Sequence, residues 1–423
     1  MTTPKLQEAY LHHQMDYQSY TLSNGIRVMH APSHSNISHA CILINAGSRD
    51  EKLQKNGLAH FIEHLLFKRT EKRNTNQILN RLELVGADLN AYTTKEYTCI
   101  HASFLNPHLD RTLDLFEDLV FHSVFPEDEM AKETEIILDE ISSYQDQPDE
   151  AINDDFDDLI FEGHALGRNI LGTPESIQDL KQQDIFDFIR SNYRTDEIIV
   201  GISGHYDFKK LIHKVDHFFG KIARNTPAHH RENLNHYTAQ KKHLKKPINQ
   251  THCVIGTRSY SVHSPHKIGF LLLNNLLGGP GMSARLNLEI REKHGIAYSI
   301  ESNYTPLSDT GIFSIYFGTD TEKTEKALKL IQRELKKLRD HALGTVQLHQ
   351  TKQKFIGQIA LAEENRMGVL LSMSKSMLDH NRVDSLEEVF AKINGITAPQ
   401  LLEIANEMFD PTQLSMLLFE PGN

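Results

Sequence analysis

The chain has few cysteines, no long apolar run and no excess of positive charge, and each absence excludes a class of protein. Its three cysteines, Cys41, Cys99 and Cys253, show no CxxC spacing. This excludes a disulfide framework and a thiolate metal site, and it predicts buried, reduced thiols. No apolar run reaches the roughly 20 residues that a membrane-spanning helix needs. The net charge of −11 does not suit a nucleic-acid-binding protein, whose affinity would rest on a basic surface.

The composition and the first residues set further expectations. With 39% hydrophobic and 24% charged residues, the chain has the composition of a globular protein. Its start, MTTPKLQEAY, has neither the basic beginning and apolar core of a signal peptide nor the Arg-rich pattern of a mitochondrial leader. We therefore expect a soluble, cytoplasmic protein. A chain of 423 residues is too long for one ordinary core, so two domains of about 200 residues are expected.

The order of predicted elements occurs twice along the chain. Residues 80–104 and 289–317 share a helix–glycine–strand–strand pattern, which indicates two domains that arose from one duplicated unit. Residues 221–247 between them are polar and rich in histidine and lysine, and we interpret them as a linker. The KKHLKK tract there is either a basic patch or, as we favour, solvated linker. The predicted fold class is α+β: two homologous mixed α/β-sheet sandwich domains, 1–220 and 248–423, joined by this linker.

The stretch GLAHFIEHLLFKRT, residues 57–70, carries the strongest chemical signal. On a helix His60 and His64 lie one turn apart, so both imidazoles can point at one ion, with Glu63 beside them. A catalytic Zn²⁺ site has three protein ligands and a fourth position that is open to water. Two histidine nitrogens therefore leave one protein ligand to be found. The alternative is a pair of core histidines, because composition alone yields an HxxEH string in roughly one of ten such chains. A buried, unpaired carboxylate would be costly, which favours the metal site.

A second helix offers the missing carboxylate. In EDEMAKETEIILDEISSYQDQPDE (127–150), Glu133 and Glu140 lie two turns apart on one helical face. One of them could bind the ion directly while the other lies farther from it in the same site. The alternative is a charged, solvated helix. In the second half, SARLNLEIREKHG is predicted to form another helix, and long helices are expected near 321–340, 345–365 and 366–379.

The H-x-x-E-H order resembles that of the inverzincins, the pitrilysin/insulinase family of zinc metallopeptidases that includes mitochondrial processing peptidase. The segments LSNGIRV, GADLNAYTTKEYT, GHALGRNILGTPESI and REKHGIAYS resemble family segments in family order, over most of residues 18–320. The resemblance implies one Zn²⁺ per chain, held by His60, His64 and Glu140. It also implies two catalytic carboxylates, Glu63 as general base and Glu133 as a supporting group that orients a ligand. Mn²⁺ or Co²⁺ would also suit such a donor set.

The resemblance implies substrate-binding residues as well. Asn90 and Ala91 match a family pair on an edge strand that binds extended peptides. Arg291 and Tyr298 match a pair in the non-catalytic domain that contacts the substrate. Taken alone, the first pair indicates a structural strand, and the second pair indicates surface and packing residues.

In the family four such domains form a clamshell around a closed chamber, and this chain supplies two of them. The resemblance therefore implies a zinc-dependent endopeptidase that hydrolyses unfolded peptides between two chains. We expect a homodimer, with a heterodimer of related chains as the alternative. In either assembly Arg291 and Tyr298 would complete the partner's site. The acidic stretch 145–163 either lines the chamber or, as we favour, forms a solvated face. The alternative function is that of a non-catalytic subunit serving as scaffold or partner.

Overall fold

The structure is a computed structural model and describes residues 17–228 and 230–422. The segment MTTPKLQEAY, on which the expected cytoplasmic location rests, lies outside the described residues. Within them, no helix combines the length and the apolar character needed to cross a bilayer. The chain forms two compact units, each built on one mixed sheet, so the predicted α+β fold class is confirmed.

The helices of the described chain are numbered in chain order. They are α1 (Leu58–Leu66), α2 (Thr75–Glu83), α3 (Leu109–Phe121), α4 (Glu127–Gln145), α5 (Pro148–Ile160), α6 (Pro174–Gln178), α7 (Gln182–Asn192), α8 (Phe208–Phe219), α9 (Lys267–Gly278), α10 (Thr324–Asp340), α11 (Thr345–Ala362), α12 (Arg366–His380), α13 (Leu386–Gly395) and α14 (Ala398–Met408).

The first unit contains a six-stranded sheet. Its strands are β1 (Gln18–Thr21), β2 (Arg27–Pro32), β3 (Ile37–Ile44), β4 (Asp88–Thr93), β5 (Thr98–Leu105) and β6 (Ile198–Gly204). They lie in the order β1-β2-β6-β3-β5-β4, so β4 is an edge strand. The pair β2–β6 is parallel, and the other neighbours are antiparallel.

The central strand β3 shows why the middle of this sheet is buried on both faces. Ile42 and Ile44 join the core that includes Phe61 of α1 and Phe116 of α3. The alternate residues, such as Leu43, pack on the opposite face with side chains of α12. Successive side chains of a strand point to opposite faces, and an almost continuous apolar run such as ACILI therefore serves both.

The second unit repeats this architecture with five strands. They are β7 (Lys241–Lys246), β8 (Thr251–Ser259), β9 (Ala297–Pro306), β10 (Gly311–Thr319) and β11 (Ser415–Pro421). Their order, β7-β11-β8-β10-β9, and the parallel pair β7–β11 reproduce the first sheet without β1. Helix α5 covers one face through Ile152 and Phe156, and Phe270 of α9 belongs to the core on the other face.

The two units are not contiguous in sequence. Residues 142–168, with α5, belong to the second unit, whereas 362–388, with α12, belong to the first. The predicted domain ranges differ from this division: 1–220 includes α5 and 248–423 includes α12, whereas each helix belongs to the other unit. The range 221–247 predicted as linker includes β7, so KKHLKK is an edge strand beside β11. Its lysines suit a sheet edge, where charge opposes aggregation, but the partner strand lies at the far end of the chain and leaves no local signal.

Candidate metal centre and active site

The motif histidines lie on α1, whose N-terminus is capped by a carboxylate from an earlier loop. Glu51 accepts hydrogen bonds from the backbone nitrogens of Gly57 (2.9 Å) and Ala59 (2.7 Å). A negative charge at this end of a helix also interacts favourably with the helix dipole. Gly57 adopts a φ of +90°, and a Cβ there would lie 2.5 Å from Ile177, so glycine is required where the chain enters the helix.

The structure brings His60, His64 and Glu140 together. His60 Nε2 lies 3.8 Å and His64 Nε2 lies 3.6 Å from Glu140 Oε2. The three ligand atoms all lie within 4.8 Å of one another. Ligand atoms of a tetrahedral zinc ion are about 3.4 Å apart when each metal–ligand bond is about 2.1 Å. Two imidazole nitrogens and a carboxylate oxygen at this spacing fit a zinc ion with one open position.

The surroundings of His60 favour the form of imidazole that binds metals. Burial, together with the neighbouring His64, lowers the pKa of His60 to about 4. The ring is therefore neutral at neutral pH, as a metal ligand must be. Its Nδ1 is buried and has no hydrogen-bond partner among the described residues.

Glu133 lies behind His64, away from the three ligand atoms. Its side chain is 3% exposed, whereas that of Glu140 is 43% exposed. Glu133 Oε2 accepts a hydrogen bond from His64 Nδ1 at 3.1 Å, and Lys68 Nζ lies 2.6 Å from Oε1. A carboxylate in this position sets the tautomer of the histidine and directs Nε2 towards the ion. This is the arrangement expected of a group that orients a ligand.

Glu63 lies on α1 between the two histidines and is half-buried. Desolvation raises the pKa of Glu63 above its usual value, while Thr93 and His64 act in the opposite direction. A carboxyl group with a raised pKa exchanges protons more readily near neutral pH. Because Thr93 belongs to β4, this carboxyl group also lies beside the edge strand.

The predicted pair Asn90 and Ala91 lies on β4, at the edge of the first sheet. The backbone nitrogen of Ala91 donates a hydrogen bond to Asn90 Oδ1 at 2.8 Å. This N–H therefore points away from β5. In an antiparallel ladder the outward-pointing groups recur at every second residue, and at a free edge they are available to another strand.

Arg291 and Tyr298 lie in the second unit. Arg291 belongs to a π-helix, Asn287–Glu292, where a regular helix was predicted, and Tyr298 follows the first residue of β9. The guanidinium carbon of Arg291 lies 5.2 Å from the centre of the Tyr298 ring, and Tyr298 is 86% exposed. Both residues line a cavity of about 320 Å³ with Gln250 and Asp320. π-Helices are rare, and those that occur often lie at functional sites.

Glu51 and Lys68 did not emerge from the sequence as site residues. Lys68 follows His64 by four residues, a spacing that indicates a shared side of the chain, but a lysine after a helix is ordinary. Glu51 acts from a loop six residues before Gly57, so no short capping pattern marks it.

Family models match most of the chain. Residues 27–174 match the model described as Insulinase (Peptidase family M16), and residues 179–355 match the model of the Peptidase M16 inactive domain. The first match contains every residue of the candidate metal centre, and the second contains Arg291 and Tyr298.

Related proteins are named zinc proteases. The "Uncharacterized zinc protease YmxG" of Bacillus subtilis is 29% identical over 406 residues, which cover 96% of this chain and 98% of that protein. An uncharacterized zinc protease of Streptomyces coelicolor is 30% identical over 398 residues, which cover 92% and 86%.

Solved structures share the fold. A peptidase M16 inactive domain from Pseudomonas fluorescens superposes with a TM-score of 0.88 at 19% identity, covering 96% of this chain and 99% of that chain. A protease from Helicobacter pylori superposes with a TM-score of 0.89 at 22% identity, covering 96% and 100%. The resemblance seen in the motifs is thus confirmed, and the chain belongs to the insulinase family, peptidase family M16.

Proposed function

We propose that this protein is a zinc-dependent endopeptidase that hydrolyses unfolded peptides. The observation that carries this proposal is the cluster of His60, His64 and Glu140, with Glu63 on the same helix. The naming of its relatives as zinc proteases supports both the metal and the class of reaction.

His60, His64 and Glu140 would hold one zinc ion per chain. When bound, zinc polarises the scissile carbonyl group and lowers the pKa of water towards about 7. Glu63 takes the proton from the attacking water on its carboxylate and passes it to the nitrogen of the leaving amine. Its raised pKa suits a group that must both accept and donate a proton. Glu133 keeps His64 in the orientation that the donor set needs.

Strand β4 would bind the substrate as an added strand. The outward N–H of Ala91 pairs with a peptide carbonyl once the Asn90 side chain gives way. Recognition through the main chain requires an extended peptide and accepts many sequences. It therefore selects unfolded segments and excludes folded proteins.

The active assembly would contain two chains. Each chain supplies one catalytic unit and one unit that carries Arg291 and Tyr298 but no counterpart of the HxxEH motif. We propose that two identical chains form a closed chamber and that Arg291 and Tyr298 of one chain serve the metal centre of the other. A heterodimer with a related chain is the alternative.

The test compares wild type with Glu63→Gln at matched zinc content on a mixture of quenched fluorescent peptides. Because a positioned base contributes about 10²-fold or more, cleavage is expected to fall by at least that factor. The control is Glu135→Gln, which removes the same charge from an exposed position of α4. A wild-type protein that binds zinc yet cleaves no peptide would contradict the proposal and favour a scaffold subunit.

A further inference from the structure

We propose that Lys68 is a positioning residue of the metal centre. Its ammonium group anchors Glu133, and through Glu133 it holds His64 with Nε2 directed at Glu140. The inference rests on the proposed function in that it takes His60, His64 and Glu140 to bind zinc. It assigns a role to a lysine that follows α1 and whose ammonium group pairs with Glu133, which is not itself one of the three ligands.

Two consecutive contacts carry the proposal. Lys68 Nζ lies 2.6 Å from Glu133 Oε1, and Glu133 Oε2 accepts from His64 Nδ1 at 3.1 Å. Both oxygens of one carboxylate are thus engaged, one by a cation and one by the ligand. A charge-assisted hydrogen bond is short and directional, so it restricts rotation of the carboxylate that receives it.

Burial makes this anchor necessary. Glu133 is 3% exposed, so little water is available to hold its charge or to fix its orientation. The Lys68 side chain is itself 24% exposed, compared with 61% for Lys132, which forms an ordinary surface pair on the same helix as Glu133. The Lys68 side chain is thus more buried than that of a lysine in an ordinary surface pair.

The two ligand histidines differ in their support. Nδ1 of His60 has no hydrogen-bond partner among the described residues, whereas Nδ1 of His64 is held by Glu133. Outer hydrogen bonds fix the tautomer and the ring plane of metal-binding histidines. The two contacts that join Lys68 to Glu133 and Glu133 to His64 therefore fix the imidazole of His64.

The direction in which zinc affinity changes when the Lys68 ammonium group is removed distinguishes a positioning role from a purely electrostatic one. Removing a positive charge near a cation site would, by charge alone, strengthen metal binding. Loss of the anchor has the opposite effect, because Glu133 can then turn away and release His64. Weaker zinc binding after loss of the ammonium group therefore reports lost orientation.

The experiment measures the zinc dissociation constant of the metal-free protein by competition with a chromophoric chelator. For Lys68→Met the dissociation constant is expected to rise about tenfold, the lower end of the range seen when a group that supports a metal ligand is removed. Lys68→Arg is expected to restore most of the affinity. The control is Lys72→Met. Lys72 lies in the same loop as Lys68 but pairs with Glu117, which hydrogen-bonds His122 and not a ligand histidine. In a Glu133→Gln background, Lys68→Met is expected to have no further effect.

Each outcome decides the proposal. Unchanged or stronger zinc binding in Lys68→Met overturns it and leaves the proposed peptidase intact. An equal loss with and without Glu133 also overturns it, since Lys68 would then not act through that residue. A wild-type protein that binds no zinc removes both the inference and the proposed function. If circular dichroism shows that Lys68→Met is unfolded, Lys68→Gln takes its place.

Discussion

At the scale of single residues, His60 links the stability of the metal-free protein to pH. Burial, aided by His64, lowers the pKa of His60 to about 4, compared with about 6.5 in an unfolded chain. Between these values the unfolded chain binds more protons, so the free energy of unfolding rises with pH. The contribution is complete above pH 6.5 and is lost as pH falls towards 4. It amounts to about 3 kcal/mol at most.

Urea unfolding of metal-free wild type and His60→Gln at pH 4.5 and 7.5 tests this prediction. The loss of stability at the lower pH is expected to be smaller in the variant, because glutamine does not titrate. His217→Gln, which changes an exposed histidine of α8, serves as the control. Equal pH dependence in His60→Gln and wild type would show that this imidazole is not held neutral.

The site was predictable to the extent that helical spacing defines it. His60, Glu63 and His64 follow from one turn of one helix. Glu140 required the family resemblance, because helical geometry alone did not distinguish it from other carboxylates of α4. Lys68 was not predicted, because its role depends on a contact with another helix.

At the scale of elements, the cap of α1 determines how firmly the histidines are held. Glu51→Ala would leave the N–H groups of Gly57 and Ala59 buried and unpaired, and Asn56 would lose the same acceptor. The free energy of unfolding is expected to fall by about 2 kcal/mol. Zinc binding is expected to weaken as well, because the first turn of α1 carries His60.

Asn74→Ala is the matched control for this prediction. Asn74 caps α2 by accepting from the backbone nitrogen of Gln77, and that helix carries no predicted ligand. Its loss should cost about 1 kcal/mol and leave zinc affinity unchanged. Chemical denaturation and chelator competition measure the two effects. If both variants lose the same stability and neither loses zinc, the cap does not support the metal centre.

Elements with local signals were predicted well. The helices expected at 345–365 and 366–379 are α11 and α12. Strand β7 was not predicted, because a lysine-rich tract has no alternation and its pairing with β11 is distant in sequence. The π-helix around Arg291 was also not predicted, since one extra residue per turn leaves no pattern in composition.

At the scale of the whole molecule, the proposed assembly predicts complementation between two inactive variants. Glu63→Gln lacks the base, and Arg291→Ala lacks the substrate contact supplied to the partner. Mixing equal amounts under conditions of subunit exchange is expected to restore about a quarter of wild-type peptidase activity, because half of the dimers are mixed and each regains one site.

Sedimentation of the mixture provides the control, since restored activity should accompany the dimer. Arg291→Ala chains with full activity alone would show that this arginine is not needed. If both variants are inactive and no activity returns on mixing, Arg291 acts within its own chain.

The exchange of α5 and α12 between the units has a consequence for synthesis on the ribosome. The face of the first sheet that bears Leu43 is covered by α12, which is made only after residue 365 has been translated. One face of the first sheet therefore stays uncovered until residues 366–380 have been made. Helix α5 is made before the strands of the second sheet on which it packs. The apolar face that bears Leu43 therefore has no covering helix until late in synthesis, and an uncovered apolar face of this kind favours aggregation.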